Sequence, residues 1–162
     1  MTFSSQQTNK QNKHMTDPLN INIDLTGVET DIPLLSEGDY GVQVLESSID
    51  ANKDQTGFNW NLKLGLTESA TDVSGERTVK PGFPVYTICA LQAREDSKDP
   101  EAFKRSIADT IDALFGSNKS DRPALSHDLV QSAVGKVCLA HIYTDEYQGR
   151  KSNRVKRLKA SV

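Results

Sequence analysis

Between Phe58 and Leu66 the chain alternates without interruption. Phe58, Trp60, Leu62, Leu64 and Leu66 fall on one side, with Asn59, Asn61 and Lys63 on the other. Alternate side chains of a strand point to opposite faces, so this pattern predicts a strand with one buried and one wet face, as in an antiparallel sheet. Tyr40, Val42 and Val44 repeat the pattern after the turn Ser36-Glu37-Gly38-Asp39. A third strand is expected at Val85–Leu91. A fourth, Lys136–Tyr143, is apolar on both faces and therefore expected inside the sheet. The last strand, Ser152–Leu158, is short and basic and follows the turn Tyr147-Gln148-Gly149.

Two helices interrupt this series. Phe103, Ile107, Ile111 and Leu114 recur at helical spacing, which predicts a helix over Pro100–Phe115, capped by Asp99 and closed by Gly116. A shorter helix is expected over Ser126–Val134, with Ser126 as its cap and Gly135 as its stop. Residues 67–82 read as a polar connection. The order β-β-β-α-α-β-β is mainly β with a helical insert, an α+β arrangement. It is compatible with an OB-fold-like five-stranded barrel, which carries a helix between strands 3 and 4. The runner-up is a less closed sheet with the helix covering one face.

Ahead of this domain, expected over 36–162, the chain changes character. Residues 1–18 are polar and hold too little apolar surface to offset ordering, which predicts a flexible arm, and Met15 offers an alternative start. Residues 19–35 read as an extended segment, and the alternation Leu19–Leu25 suggests an edge strand or a packed arm.

Composition narrows the class. Hydrophobic content is 36% and no run approaches a membrane span. The N-terminus lacks the apolar core of a signal peptide, so a soluble protein of the cytoplasm is expected, with no membrane partner. Cys89 and Cys138 sit in apolar strand-like runs and read as small buried residues.

Charge is distributed unevenly. Six of the 19 Lys/Arg lie in residues 149–162, which hold no acid, so residues 1–148 carry 13 against 22 Asp/Glu, a formal −9. A basic strip on an acidic chain points toward a polyanion, and neutralising phosphates releases counterions.

Catalytic chemistry finds no support. His14, His127 and His141 are scattered, and none has a second ligand at metal spacing. His127 reads as a surface or capping residue, His141 as a satisfied sheet histidine. There is no phosphate-binding Gly-Lys loop, no nucleophile elbow and no Cys/His pair. No catalytic residue, metal or cofactor is therefore expected.

Binding chemistry remains. Single strands are held by aromatic faces and by cations that follow the phosphates. The aromatic supply is Tyr40, Phe58, Trp60, Tyr86, Tyr143 and Tyr147. Phe58 and Trp60 share a face with three leucines and are expected in the core, whereas Tyr147 lies in a turn. Lys53 occupies the loop between the first two strands, and Lys63 the polar face of the second. Arg150 and Lys151 sit at the final turn. Strict alternation puts Arg154 and Lys156 on one face of the last strand with Leu158, and Asn153, Val155 and Arg157 on the other. These cations could form one groove with Asn59, Asn61 and Lys63 if the last strand returns beside the first hairpin.

Five stretches carry a family resemblance: Glu37-Gly38-Asp39-Tyr40-Gly41-Val42-Gln43-Val44, Thr56 to Leu64, Ala113-Leu114-Phe115-Gly116, Val134-Gly135-Lys136-Val137, and Tyr147-Gln148-Gly149-Arg150 running into Asn153-Arg154-Val155-Lys156. In this order they cover residues 36–158 in outline, and the chain resembles a family of small phage-encoded OB-fold proteins regarded as single-stranded-DNA-binding or recombination-associated. The resemblance implies binding of a displaced or replicating strand in phage DNA replication or recombination. Lys63, Tyr147, Arg150, Arg154 and Lys156 would be contacts, and other phage replication or recombination proteins would be partners. A homodimer is compatible with it. Well-known single-strand binders commonly end in an acidic tail, whereas this chain ends basic, which favours a direct phosphate role for its end. Two other classes fit parts of the sequence. A virion structural or interaction protein would use the arm at 1–35, and a DNA mimic would need ordered rows of carboxylates that the irregular spacing here does not supply.

Overall fold

The computed structural model describes residues 20–28 and 31–161. The chain divides into a short unit ending at Asp31 and a larger one over Ile32–Val162. In the short unit, residues 20–28 form no strand. Thr26 N donates to Asp24 Oδ1 at 2.9 Å and Val28 N to Leu25 O at 3.2 Å, and both are local turn bonds. Ile21, Ile23, Leu25 and Val28 are exposed. The strand or packed arm suggested by their alternation is thus absent over 20–25, because no neighbouring ladder takes up the backbone groups there. Leu19 and the arm at 1–18 lie outside the described residues.

The larger unit is mainly β. Its strands are β1 (Gly38–Ala51), β2 (Phe58–Leu66), β3 (Ala70–Thr71), β4 (Thr78–Val79), β5 (Pro84–Ala90), β6 (Val137–Tyr147) and β7 (Arg150–Lys159). Helices α1 (Ala102–Phe115) and α2 (His127–Ser132) lie between β5 and β6. The five long strands form one antiparallel sheet in the order β5-β2-β1-β6-β7. β1 pairs with β6 over Gly38–Gln43 and with β2 over Val42–Ala51, and the ladder with β2 has a bulge between Val44 and Glu46. Following the antiparallel steps across the sheet, the two outer strands β5 and β7 run in the same direction. No ladder joins them among the described residues, so the sheet is open along this seam. Helix α1 packs against β5, β6 and β7, and α2 against β1.

The period-two pattern of β2 sets the core. Trp60, Leu62, Leu64 and Leu66 are buried, together with Val42, Val44, Val85, Cys138, Ala140 and Ile142 from the same face of the sheet. Trp60 is 0% exposed and its Nε1 donates to Ser47 Oγ at 2.9 Å, so this ring fills the core. Phe58 departs from the core placement expected of it and is 56% exposed. It keeps the inner parity but pairs with exposed Ala51 at the last rung of the ladder, where the interior ends. Helix α1 contributes buried Ile111, Ala113 and Leu114.

Two local features differ from expectation. Helix α1 starts at Ala102, two residues beyond Pro100, and Glu101 takes the cap position without a side-chain cap. Asp99 Oδ1 instead accepts from Glu101 N at 3.2 Å, which holds the entering turn. The connection 67–82 contains the small hairpin β3–β4, organised by buried Asp72, which accepts from Ser74 Oγ and from the backbone and side chain of Arg77. Ser126 caps α2 as expected, its side chain accepting from Leu129 N at 3.2 Å. Both cysteines are buried and free, and burial pushes the Cys138 thiol up to about 11. None of the described helices is long and apolar enough to cross a membrane.

Leu62→Ala should cost about 2–5 kcal/mol of unfolding free energy in urea titrations, since it empties a fully enclosed site. Phe58→Ala should cost clearly less. Equal costs would contradict the described interior.

Candidate nucleic-acid interface

The wet face of β2 continues onto β5. Register places Lys63 beside Tyr86, Asn61 beside Ile88 and Asn59 beside Ala90. Tyr86 is 59% and Ile88 60% exposed, although folding buries Val85 and Cys89 on the other face of the same strand. On the β1 side the same row meets Glu46, Ser48 and Asp50. Lys63 Nζ lies 3.3 Å from Glu46 Oε2, and Asn61 Nδ2 donates to Asp50 Oδ2 at 2.9 Å. The result is an aromatic and an aliphatic side chain in water beside a row of amides and one cation.

The β1–β2 loop at one end of this face is a compact turn. Asn52 Oδ1 accepts from Thr56 N at 3.0 Å and from Gly57 N at 3.3 Å, and Thr56 Oγ1 donates to Asp54 Oδ1 at 2.7 Å. Gln92, just beyond β5, closes it by accepting from Phe58 N at 2.8 Å. A Cβ at Gly57 would stand 2.3 Å from the Gln92 side-chain amide, so a larger residue there would displace Gln92 from this contact. Lys53 is exposed on the loop.

The β6–β7 hairpin turns through Gln148 at φ 53° and Gly149 at φ 78°. Two positive φ values in a two-residue loop match the right-handed twist of the flanking strands. Tyr147 is 68% exposed and pairs with Arg150, and Lys151 pairs with Glu146. Beyond this the ladder slips. Ile142 pairs with Val155 and His141 with Arg157, which leaves Lys156 as an extra residue in a bulge. The two rows expected from strict alternation are therefore wrong. Leu158 pairs with Ala140 and Val155 with Ile142 on the core side, whereas Arg154 and Arg157 pair across from Tyr143 and His141. Asn153 anchors the strand by accepting from Leu35 N at 2.8 Å and donating to Pro33 O at 3.0 Å.

Ion pairing divides the cations. Arg154 lies 3.4 Å from Asp145, Lys159 3.0 Å from Asp39 and Lys63 3.3 Å from Glu46. Among the described residues Lys53, Arg150, Lys151, Lys156 and Arg157 have no carboxylate within 4.0 Å. His141 is a satisfied sheet residue: Nδ1 is 2.9 Å from Asp39 and Nε2 3.2 Å from Glu37. Among the described residues no three His, Cys, Asp or Glu side chains converge as metal ligands.

Strands β2 and β7 are not neighbours, so Lys63 and the terminal cations share no ladder. On one side β1 and β6 separate them. On the other β5 stands between them, and its free edge faces Val155–Leu158 across the open seam. The pairs brought together are Lys63 with Tyr86, and Tyr147 with Arg150. Sequence reasoning gave Ile88 no role and placed Arg157 on the face opposite Arg154. Strand β5 is apolar on both faces, which hides the wet one, and the bulge that repositions Arg157 has no residue signature. No protein-family model and no curated protein matches the chain.

The His141 hydrogen bond, then the Lys159 ammonium, hold the Asp39 carboxyl below its ordinary value of 3.8. Because the folded value is depressed, this contact contributes stability above that pH and loses it as pH falls through the folded value. A ¹³C carboxyl titration should place the Asp39 midpoint below 3.8, and Lys159→Ala should move it upward. A wild-type midpoint at or above the ordinary value would contradict the contact.

Proposed function

We propose that the chain is a non-catalytic single-stranded-DNA-binding protein of OB type, acting in phage DNA replication or recombination inside the host cell. The observation that carries this is the exposed pair Tyr86 and Ile88 beside Asn59, Asn61 and Lys63. An aromatic face in water next to amides and a cation offers stacking, base-edge hydrogen bonds and phosphate attraction together. The OB assignment is supported by the strand order, by the helices between the third and fourth long strands, and by outer strands that run in the same direction. In such a fold bases lie across the second and third long strands, here β2 and β5, flanked by the β1–β2 loop and the final hairpin. Lys53 would then meet phosphates at one end, and Tyr147, Arg150 and Lys151 at the other. The acidic remainder of the chain repels the strand and limits affinity, while the cation–phosphate contacts make binding fall as salt rises.

One observation favours a second reading, an interaction protein with an N-terminal arm: Ile21, Ile23 and Leu25 are exposed. Removal of residues 1–31 distinguishes the two. Loss of self-association with no effect on DNA would support the arm.

Fluorescence anisotropy with labelled oligo-dT at about 50 mM salt tests the first reading. Binding is expected, and Tyr86→Ala should weaken it about 5- to 150-fold, the range for losing one stacked base. A folded protein that leaves the oligonucleotide free contradicts the proposal.

A further inference from the structure

The free edges of β5 and β7 face each other over α1 and leave a groove of about 420 Å³. Ile88 lies on one bank, Lys156 and Arg157 on the other, and Arg105, Ser106 and Asp109 of α1 along the floor. Edge strands carry unpaired N–H groups, so both banks add backbone donors to the side-chain ones. The bulge in β7 takes Lys156 out of the ladder beside Arg157, which gathers two cations at this bank. Arg105 is engaged by Asp99, and the flanking Arg154 and Lys159 are engaged by Asp145 and Asp39. Lys156 and Arg157 are thus the groove cations left without a carboxylate among the described residues. Ile88 belongs both to this groove and to the exposed β5 face that carries Tyr86.

We propose that the sugar-phosphate backbone of a bound single strand crosses this seam, with its bases on the Tyr86–Ile88 face and successive phosphates against Lys156 and Arg157. The inference rests on the single-strand-binding reading above and adds the route of the strand. It shifts the phosphate role from Arg154, whose guanidinium lies beside Asp145, to Arg157, which faces no carboxylate among the described residues. Asp109 is the acid lining the groove and opposes the ligand. The site is therefore tuned to moderate affinity.

The test is the salt dependence of oligo-dT binding by the full chain and by three variants, each checked for an unchanged thermal melt. Each phosphate contact contributes about −0.7 to the slope of log affinity against log salt for single strands. The double variant Lys156→Ala/Arg157→Ala should make the slope about 1.4 units shallower, and Arg154→Ala should leave it nearly unchanged. Asp109→Asn, an exposed helix position, should tighten binding. If the wild type binds but the double variant keeps the full slope, or Asp109→Asn has no effect, the seam route is wrong and the single-strand reading stands. If the wild type fails to bind, both fall.

Discussion

One strand serves two partners, and the sheet depends on it. β1 pairs with β6 over Gly38–Gln43 and with β2 over Val42–Ala51, so Val42 and Gln43 belong to both ladders, and the ladder with β2 is bulged beside Leu45 just past this overlap. Regular pairing along 14 residues would build a flat central strand. The bulge bends the strand and increases its twist, so the two halves of the sheet turn toward each other. Two glycines make room where the strands crowd. A Cβ at Gly41 would sit 2.6 Å from Thr67 Oγ1, and one at Gly65 would meet Leu45 at 2.9 Å and the Gly82 backbone at 3.2 Å. Because the sheet turns, its outermost strands end up facing one another over α1. Both the Tyr86–Ile88 face and the seam groove follow from that turn.

The second organising effect is the distribution of charge after folding. The basic end does not lie in solvent as a uniform strip. Asp145 faces Arg154 in the middle of β7, and Asp39 faces Lys159 at its last residue. Such exposed pairs contribute little stability individually. They place two of the cations of β7 beside carboxylates and leave four, Arg150, Lys151, Lys156 and Arg157, with none within 4.0 Å among the described residues.

Much of this was legible in the chain. The alternation of Phe58–Leu66 predicted β2 and its wet face, because a strand buried on one side must alternate. The helical spacing of Phe103 to Leu114 predicted α1, and the Gln148-Gly149 turn predicted the final hairpin. What was hidden depends on tertiary contact. Alternation around Leu19–Leu25 looked like a strand, but a strand also needs a partner ladder. Phe58 shares the parity of the core and escapes burial only because the ladder ends at Ala51. Arg157 and Lys156 changed roles through a one-residue slip opposite His141, and nothing in their identity marks such a slip. At the interface, Lys63, Tyr147, Arg150 and Lys151 could be named from turns and alternation. The partnership of Lys63 with Tyr86 required the register between β2 and β5, which joins residues far apart in sequence.

The most direct measurement is a map of backbone amide shifts in the ¹⁵N-labelled protein during titration with oligo-dT. Binding across the β2–β5 face predicts the largest changes at Asn61, Lys63, Tyr86 and Ile88, extending to the 52–57 loop and to Lys156 and Arg157. Changes confined to the outer face of β1 and β6, around Gln43, Val137 and Leu139, or no changes at saturating oligonucleotide, would contradict it.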